Sequence, residues 1–252
     1  NVDVFCQPGS SLTIVKQTVG GNETFDFESV QLGNFQLTTS GGVAQTTFGP
    51  LFAGAYAVAE NRPAGWTLTS ATCDDGSQPA NITLGAREQV TCTFINTKGL
   101  ARIRVDNPLA TNAVNTSHDF TVTVETSINN GATWQPVGAG QVVTGAVSGI
   151  GALVNENCIT DGNGQCSFTL NSNTAGQSIL QAQASVNVLG LEQLVTTNGS
   201  SGPSRNAVKT WVDLRITIDP QSDANPLNLV HTFTISITQN LGDGLWIPVA
   251  DG

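Results

Sequence analysis

The chain of 252 residues contains no Met, one Tyr, two His and only nine Lys plus Arg. So few basic residues, set against a net charge of −10, leave no cluster able to neutralise phosphates, which excludes nucleic acid as a partner. No run approaches the roughly 18 apolar residues of a membrane helix, and no signal-peptide pattern is present. The missing Met points to a processed product or a fragment. Scarce Lys, Glu and Met remove several good helix formers, and no sustained i, i+3, i+4, i+7 apolar pattern occurs. Apolar residues still make up 39% of the chain, enough for packed cores rather than disorder.

What is present is period-two alternation. Leu12-Thr-Ile14-Val-Lys16, Phe120-Thr-Val122-Thr-Val124 and Phe233-Thr-Ile235-Ser-Ile237 are each apolar at every second position. Such runs, separated by Gly, Asn, Asp and Pro clusters, predict an all-β protein of tandem β-sandwiches, each sheet with one wet face.

An internal repeat sets the expected domains. Ile103-Arg-Val-Asp106 recurs as Ile216-Thr-Ile-Asp219, at an offset of 113 that also carries His118 onto His231 and Phe120 onto Phe233. After one deletion Trp134 and Pro136 fall on Trp246 and Pro248. Self-similarity of this length means tandem domains of one kind. The expected domains are 1–99, unrelated to the repeat, then 100–212, then 213–252 as the start of a second copy. A third of a sandwich cannot bury its apolar face alone. The expectation is that further sequence of the same chain completes it, with a strand from another chain as the alternative.

The five cysteines show no CxxC spacing and no nearby His, so no metal site is expected. Among the possible connectivities we choose the local pairs Cys73–Cys92 and Cys158–Cys166, which place the protein in an oxidising, extracellular compartment. Cys6 is left over, either unpaired or bonded to another molecule. Asn163-Gly164 suits a two-residue turn. That turn would set Asp161 opposite Cys166, so facing Cys158 to Cys166 requires a three-residue loop centred on Gly162, and we expect the latter. Asp161 and Asn163 read as a polar turn, because calcium would need more ligands.

Residues 158–182 resemble the "T-D-x-N-G … S-x-T-A-G … I-x-A" end of bacterial Ig-like domains of the invasin and intimin kind. That resemblance implies a β-sandwich spacer of surface proteins.

In 1–99, alternation places Lys16 beside Leu12 and Ile14, Glu60 beside Tyr56 and Val58, and Asn96 beside Val90, Cys92 and Phe94. An amine, a carboxyl and a carboxamide thus sit on apolar faces, where a lone charge is costly. The order "L-x-I-x-K", "Y-x-V-x-E-x-x-P-x-G-W" and "C-T-F-x-N-T" resembles the B-type repeat domains of collagen adhesins and Gram-positive pilins, which are prealbumin-like sandwiches. The resemblance implies an intramolecular isopeptide bond, with Lys16 as nucleophile, Asn96 as electrophile and Glu60 as proton shuttle. A desolvated Lys offers a neutral amine, and a Glu kept protonated by an apolar site can donate to the Asn carbonyl. The alternative is a buried Lys–Glu ion pair with Asn capping a strand.

These readings predict a structural protein of a bacterial surface, a stalk or filament subunit of covalently stapled sandwiches, secreted or held at the cell surface. Its expected partners are other copies of itself or further domains of one long chain. A recognition module binding a surface ligand through loops is the alternative. Trp66, Trp134 and Trp246 are candidates for sugar stacking, but Trp134 and Trp246 are repeat equivalents and read as scaffold. His118 and His231 do too, so no triad and no enzyme is expected. No cofactor is expected.

Overall fold

A computed structural model describes residues 9–198 and 203–249; Cys6 lies outside the described residues. The described chain has strands and turns but no helix, as the alternation and the shortage of helix formers require. It separates into two compact units. The first comprises residues up to Ala101 with Thr126–Gln135 and Asn187–Gln193; the second comprises Arg102–Glu125, Pro136–Val186 and the chain from Leu194 on.

The first unit contains β1 (Ser10–Val19), β2 (Thr24–Glu28), β3 (Phe35–Thr38), β4 (Val43–Leu51), β5 (Gly54–Tyr56), β6 (Ala59–Asn61), β7 (Trp66–Cys73), β8 (Ile82–Leu84) and β9 (Gln89–Lys98). One sheet runs β4-β1-β9-β7, a second β3-β2-β6, and β5 pairs with β8. β1 lies parallel to β9, with Leu12 opposite Val90 and Lys16 opposite Phe94. Every second residue of β1 from Ser10 to Lys16 is buried. The strand's polar face stays wet while Leu12 and Ile14 pack with Phe25, Phe27, Trp66, Cys92 and Phe94. Phe25 and Trp66 meet edge to face at 5.6 Å, so Trp66 is a core residue.

The middle strand expected over 56–60 is interrupted. Tyr56 ends β5, opposite Ile82 of β8, and Glu60 lies in β6, opposite Phe27 of β2. Between them the Val58 N–H donates to Pro79 O at 2.8 Å. A loop carbonyl replaces a ladder partner there, and the chain passes from one strand partner to another while Val58 remains buried.

The second unit contains β10 (Leu100–Val105), β11 (Leu109–Ala113), β12 (Ser117–Ser127), β13 (Gln135–Pro136), β14 (Val142–Gly149), β15 (Ala152–Leu153), β16 (Asn157–Ile159), β17 (Gln165–Asn171), β18 (Gly176–Val188), β19 (Leu191–Thr196), β20 (Ala207–Asp219), β21 (Thr234–Asn240) and β22 (Ile247–Pro248), a few of them reaching past the unit's bounds. One sheet runs β10-β12-β17-β15 and the other β16-β14-β18-β20-β21-β22, with β11 also on β20. Their inner faces meet closely. A Cβ built on Gly145 of β14 would come 2.7 Å from the Phe168 ring of β17, so only glycine fits there.

Along β20 burial changes abruptly. Ala207, Lys209, Trp211 and Val212 are buried, whereas Leu214 to Asp219 are exposed and pair with β21. The change falls where the repeat restarts. Its ring geometry is repeated as well: His118 meets Phe120 edge to face at 4.6 Å, and His231 meets Phe233 at 4.3 Å.

Candidate functional site

Lys16 enters the first core because its strand alternates, and β9 brings Asn96 to it because the two strands run parallel. Asn96 lies two residues beyond Phe94, the partner of Lys16, and therefore on the same face. Lys16 Nζ donates to Asn96 Oδ1 at 2.6 Å and to Phe94 O at 3.3 Å. Glu60 Oε1 stands 2.9 Å from the same Nζ. Lys16 and Asn96 have no solvent exposure, and the Glu60 side chain has 1%. Three elements distant in sequence thus converge on one amine.

The surroundings act on that amine in opposite directions. Burial pushes the Lys16 pKa down, and the hydrogen bond and charge of Glu60 pull it back up, with burial the stronger. Nζ also lies 4.2 Å from the centre of the Phe25 ring. Sequence reasoning did not single out Phe25; its alternation with Phe27 could have placed it in the core, but nothing in the sequence sets it beside Lys16. The polar groups are incompletely satisfied. Beyond the contact with Lys16 Nζ the Glu60 carboxyl has no further hydrogen-bond partner, and Asn96 Nδ2 donates none, among the described residues. An unmet buried group costs about 1–3 kcal/mol. The amine, the carbonyl it bonds and the carboxyl beside them are the parts needed for acyl transfer from Asn to Lys.

Both chosen cysteine pairs are bonded. Cys73 and Cys92 face each other across β7 and β9, and Cys92 shares a strand face with Asn96. Cys158–Cys166 has a geometry different from the one expected. The three-residue hairpin loop is absent: Cys158 lies in β16, which pairs with β14, and Cys166 lies in β17, which pairs with β12. The disulfide joins the two sheets instead of closing a hairpin. The tight turn therefore coexists with it. Gly164 N–H donates to Asp161 O at 3.0 Å, and the Asp161 carboxylate accepts from the N–H groups of Asn163 and Gln165. Those bonds hold the Asp161 pKa down and make it a turn residue.

A profile of the prealbumin-like fold domain matches residues 12–98. No curated protein matches the chain. Among solved structures, the chain is similar to the C-terminal 282-residue fragment of intimin in complex with the intimin-binding domain of the translocated intimin receptor. Identity is 23% over 56% of this chain and 46% of that one, with a TM-score of 0.32, so the chain spans about half the length of that fragment. It is also similar to BcpA, the major pilin subunit of Bacillus cereus, at 10% identity over 92% of this chain and 83% of that one, TM-score 0.32. The full-length major pilin SpaD from Corynebacterium diphtheriae is 16% identical over 88% of this chain and 70% of that one, TM-score 0.31. Between Leu12 and Lys98, about a third of the sequence, the chain matches the prealbumin-like fold domain, and Lys16, Glu60 and Asn96 all lie inside that match.

Proposed function

We propose that the chain is a structural segment of a bacterial surface protein, a stalk or filament subunit whose first sandwich is closed by an amide between Lys16 and Asn96. The observation that supports it is the meeting of a buried Lys amine, a buried Asn carbonyl oxygen and a buried Glu carboxyl within 2.9 Å of one nitrogen. In its neutral form Nζ attacks Asn96 Cγ. Glu60 relays a proton from the attacking amine to the departing carboxamide nitrogen, so one C–N bond forms, one breaks and ammonia leaves. The product removes both the buried charge and the unmet Asn96 Nδ2. It occurs once per chain and does not turn over.

The mechanical consequence follows from topology. Lys16 and Asn96 are 80 residues apart on the adjacent, parallel strands β1 and β9. Tying them limits how far the unfolded chain can extend, and by the loop-closure estimate used for disulfides contributes about 4–5 kcal/mol. Two disulfides fit the same extracellular setting. Intact-mass measurement of the reduced protein tests the crosslink: the mass falls by one ammonia at this site, and the Lys16→Arg variant retains that ammonia. An Asn96 peptide recovered in linear form from the wild type overturns it. For the assembly, electron microscopy of native material should show fibres or stalks; isolated particles that bind glycans would replace this reading with a recognition module.

A further inference from the structure

The second unit repeats the amine–carboxamide arrangement with different residues. Lys209 of β20 has no solvent exposure, and its Nζ donates to Asn112 Oδ1 at 2.5 Å. β11 and β20 run parallel, with Ala110 opposite Lys209, so Asn112 lies two residues beyond the partner of the lysine. This is the register of the first site, where Asn96 lies two residues beyond Phe94. Two unrelated sandwiches therefore place a buried Lys and an Asn at the same offset on parallel neighbouring strands.

Among the described residues Lys209 has fewer polar partners than Lys16. No carboxylate pairs with it among the described residues, and its Nζ lies 5.1 Å from the centre of the Trp211 ring. A buried cation without an anion is expensive, and burial lowers the pKa of Lys209 to about 8. At that pKa roughly a tenth of the amine is neutral at pH 7, far more than for an exposed lysine. His118 lies within electrostatic reach: burial and then the charge of Lys209 lower its pKa. The repeat adds an independent observation. The offset of 113 that carries His118 onto His231 also carries Asn112 onto Asn225, although the residues around Asn112 differ between the copies.

We propose that Lys209 and Asn112 are a second crosslinking site, at which Nζ displaces the carboxamide nitrogen of Asn112 to form an amide between β11 and β20. The bond formed is Nζ–Cγ and the bond broken is Cγ–Nδ2. The amine proton leaves with Nδ2 as ammonia, so no oxidant or co-reactant is consumed. The inference does not rest on the crosslink of the first unit, because the two sites share no residue.

Peptide mapping of the reduced and unfolded 252-residue chain by tandem mass spectrometry tests it. The expected result is a branched peptide joining the segments around Asn112 and Lys209, lighter by one ammonia than its two parts, with the linear Lys209 peptide lost. The Lys209→Arg variant should be heavier by one ammonia than the arginine exchange alone predicts, whatever the state of Lys16. Complete recovery of Lys209 and Asn112 in separate, unmodified peptides of the wild type overturns the proposal, and this readout does not depend on any variant folding.

Discussion

Lys16 shows how one residue sets the chemistry of a core. An ammonium enclosed by Phe25, Ile14 and Phe94 is tolerated only because Glu60 and Asn96 reach it. Replacing Glu60 removes both the partner and the proposed proton relay. The Glu60→Ala protein should yield Lys16 and Asn96 in separate, unmodified peptides and unfold about 3–5 kcal/mol more easily in denaturant titration; a variant whose Lys16 and Asn96 segments still emerge joined would show that the carboxyl is dispensable. A second residue ties stability to pH. Burial alone would raise the Glu125 pKa, but hydrogen bonds and charge from Arg102 and then Arg104 outweigh it and hold it below the usual range. A depressed carboxyl contributes stability that is present above its unfolded value of about 4.3 and is lost as pH falls through the folded value. Thermal melts should therefore show the Glu125→Gln protein less stable than wild type at neutral pH, with the gap closing below about pH 4.

These residues differ in how far the sequence exposes them. Lys16, Glu60 and Asn96 are visible because polar residues interrupt alternating apolar faces, and the order of the three segments resembles a known domain. Lys209 obeys the same alternation, sharing a face with Ala207 and Trp211, but no recognised pattern surrounds it. Its partner Asn112 lies in a short strand of mixed exposure. Parallel pairing between such distant segments is a tertiary fact that periodicity does not carry.

At the scale of elements, the corner from β16 to β17 explains a failed expectation. Sequence spacing treats two cysteines eight positions apart as a hairpin problem, in which turn and disulfide compete. The chain instead leaves one sheet at Ile159, turns at Asp161–Gly164 and enters the other sheet at Gln165. A disulfide between layers and a tight turn are then compatible. The turn requires glycine: Gly164 has φ of +70°, and an added Cβ would come 2.6 Å from Val124 O. Gly164→Ala should destabilise by about 1–3 kcal/mol in equilibrium unfolding. The Cys158→Ser and Cys166→Ser double variant should lose about 2–3 kcal/mol, the amount expected for so short a closed loop. Both changes leave Lys16 untouched, so the mass deficit at that site should persist in each.

At the scale of the whole molecule, the repeat has a consequence for solubility. β20 and β21 place Ile216 opposite Ile237 and Ile218 opposite Ile235, so one face of their ladder presents these four side chains together with Leu214. All five are exposed among the described residues. The equivalent positions in the first copy, Ile103, Val105, Val122 and Val124, are buried in its core. The same alternation that makes a core in one copy therefore makes an apolar surface in the next. A net charge of −10 opposes association in general, but a contiguous apolar face acts at short range and dominates once two such faces meet. The 252-residue chain should bind a hydrophobic dye and sediment in part as larger species at low millimolar concentration or below. Ile216→Thr with Ile235→Thr keeps β propensity while removing apolar area at one position on each strand of the face. That double variant should bind several-fold less dye and shift towards monomer in sedimentation velocity, and unchanged dye binding would locate the responsible surface elsewhere on the molecule.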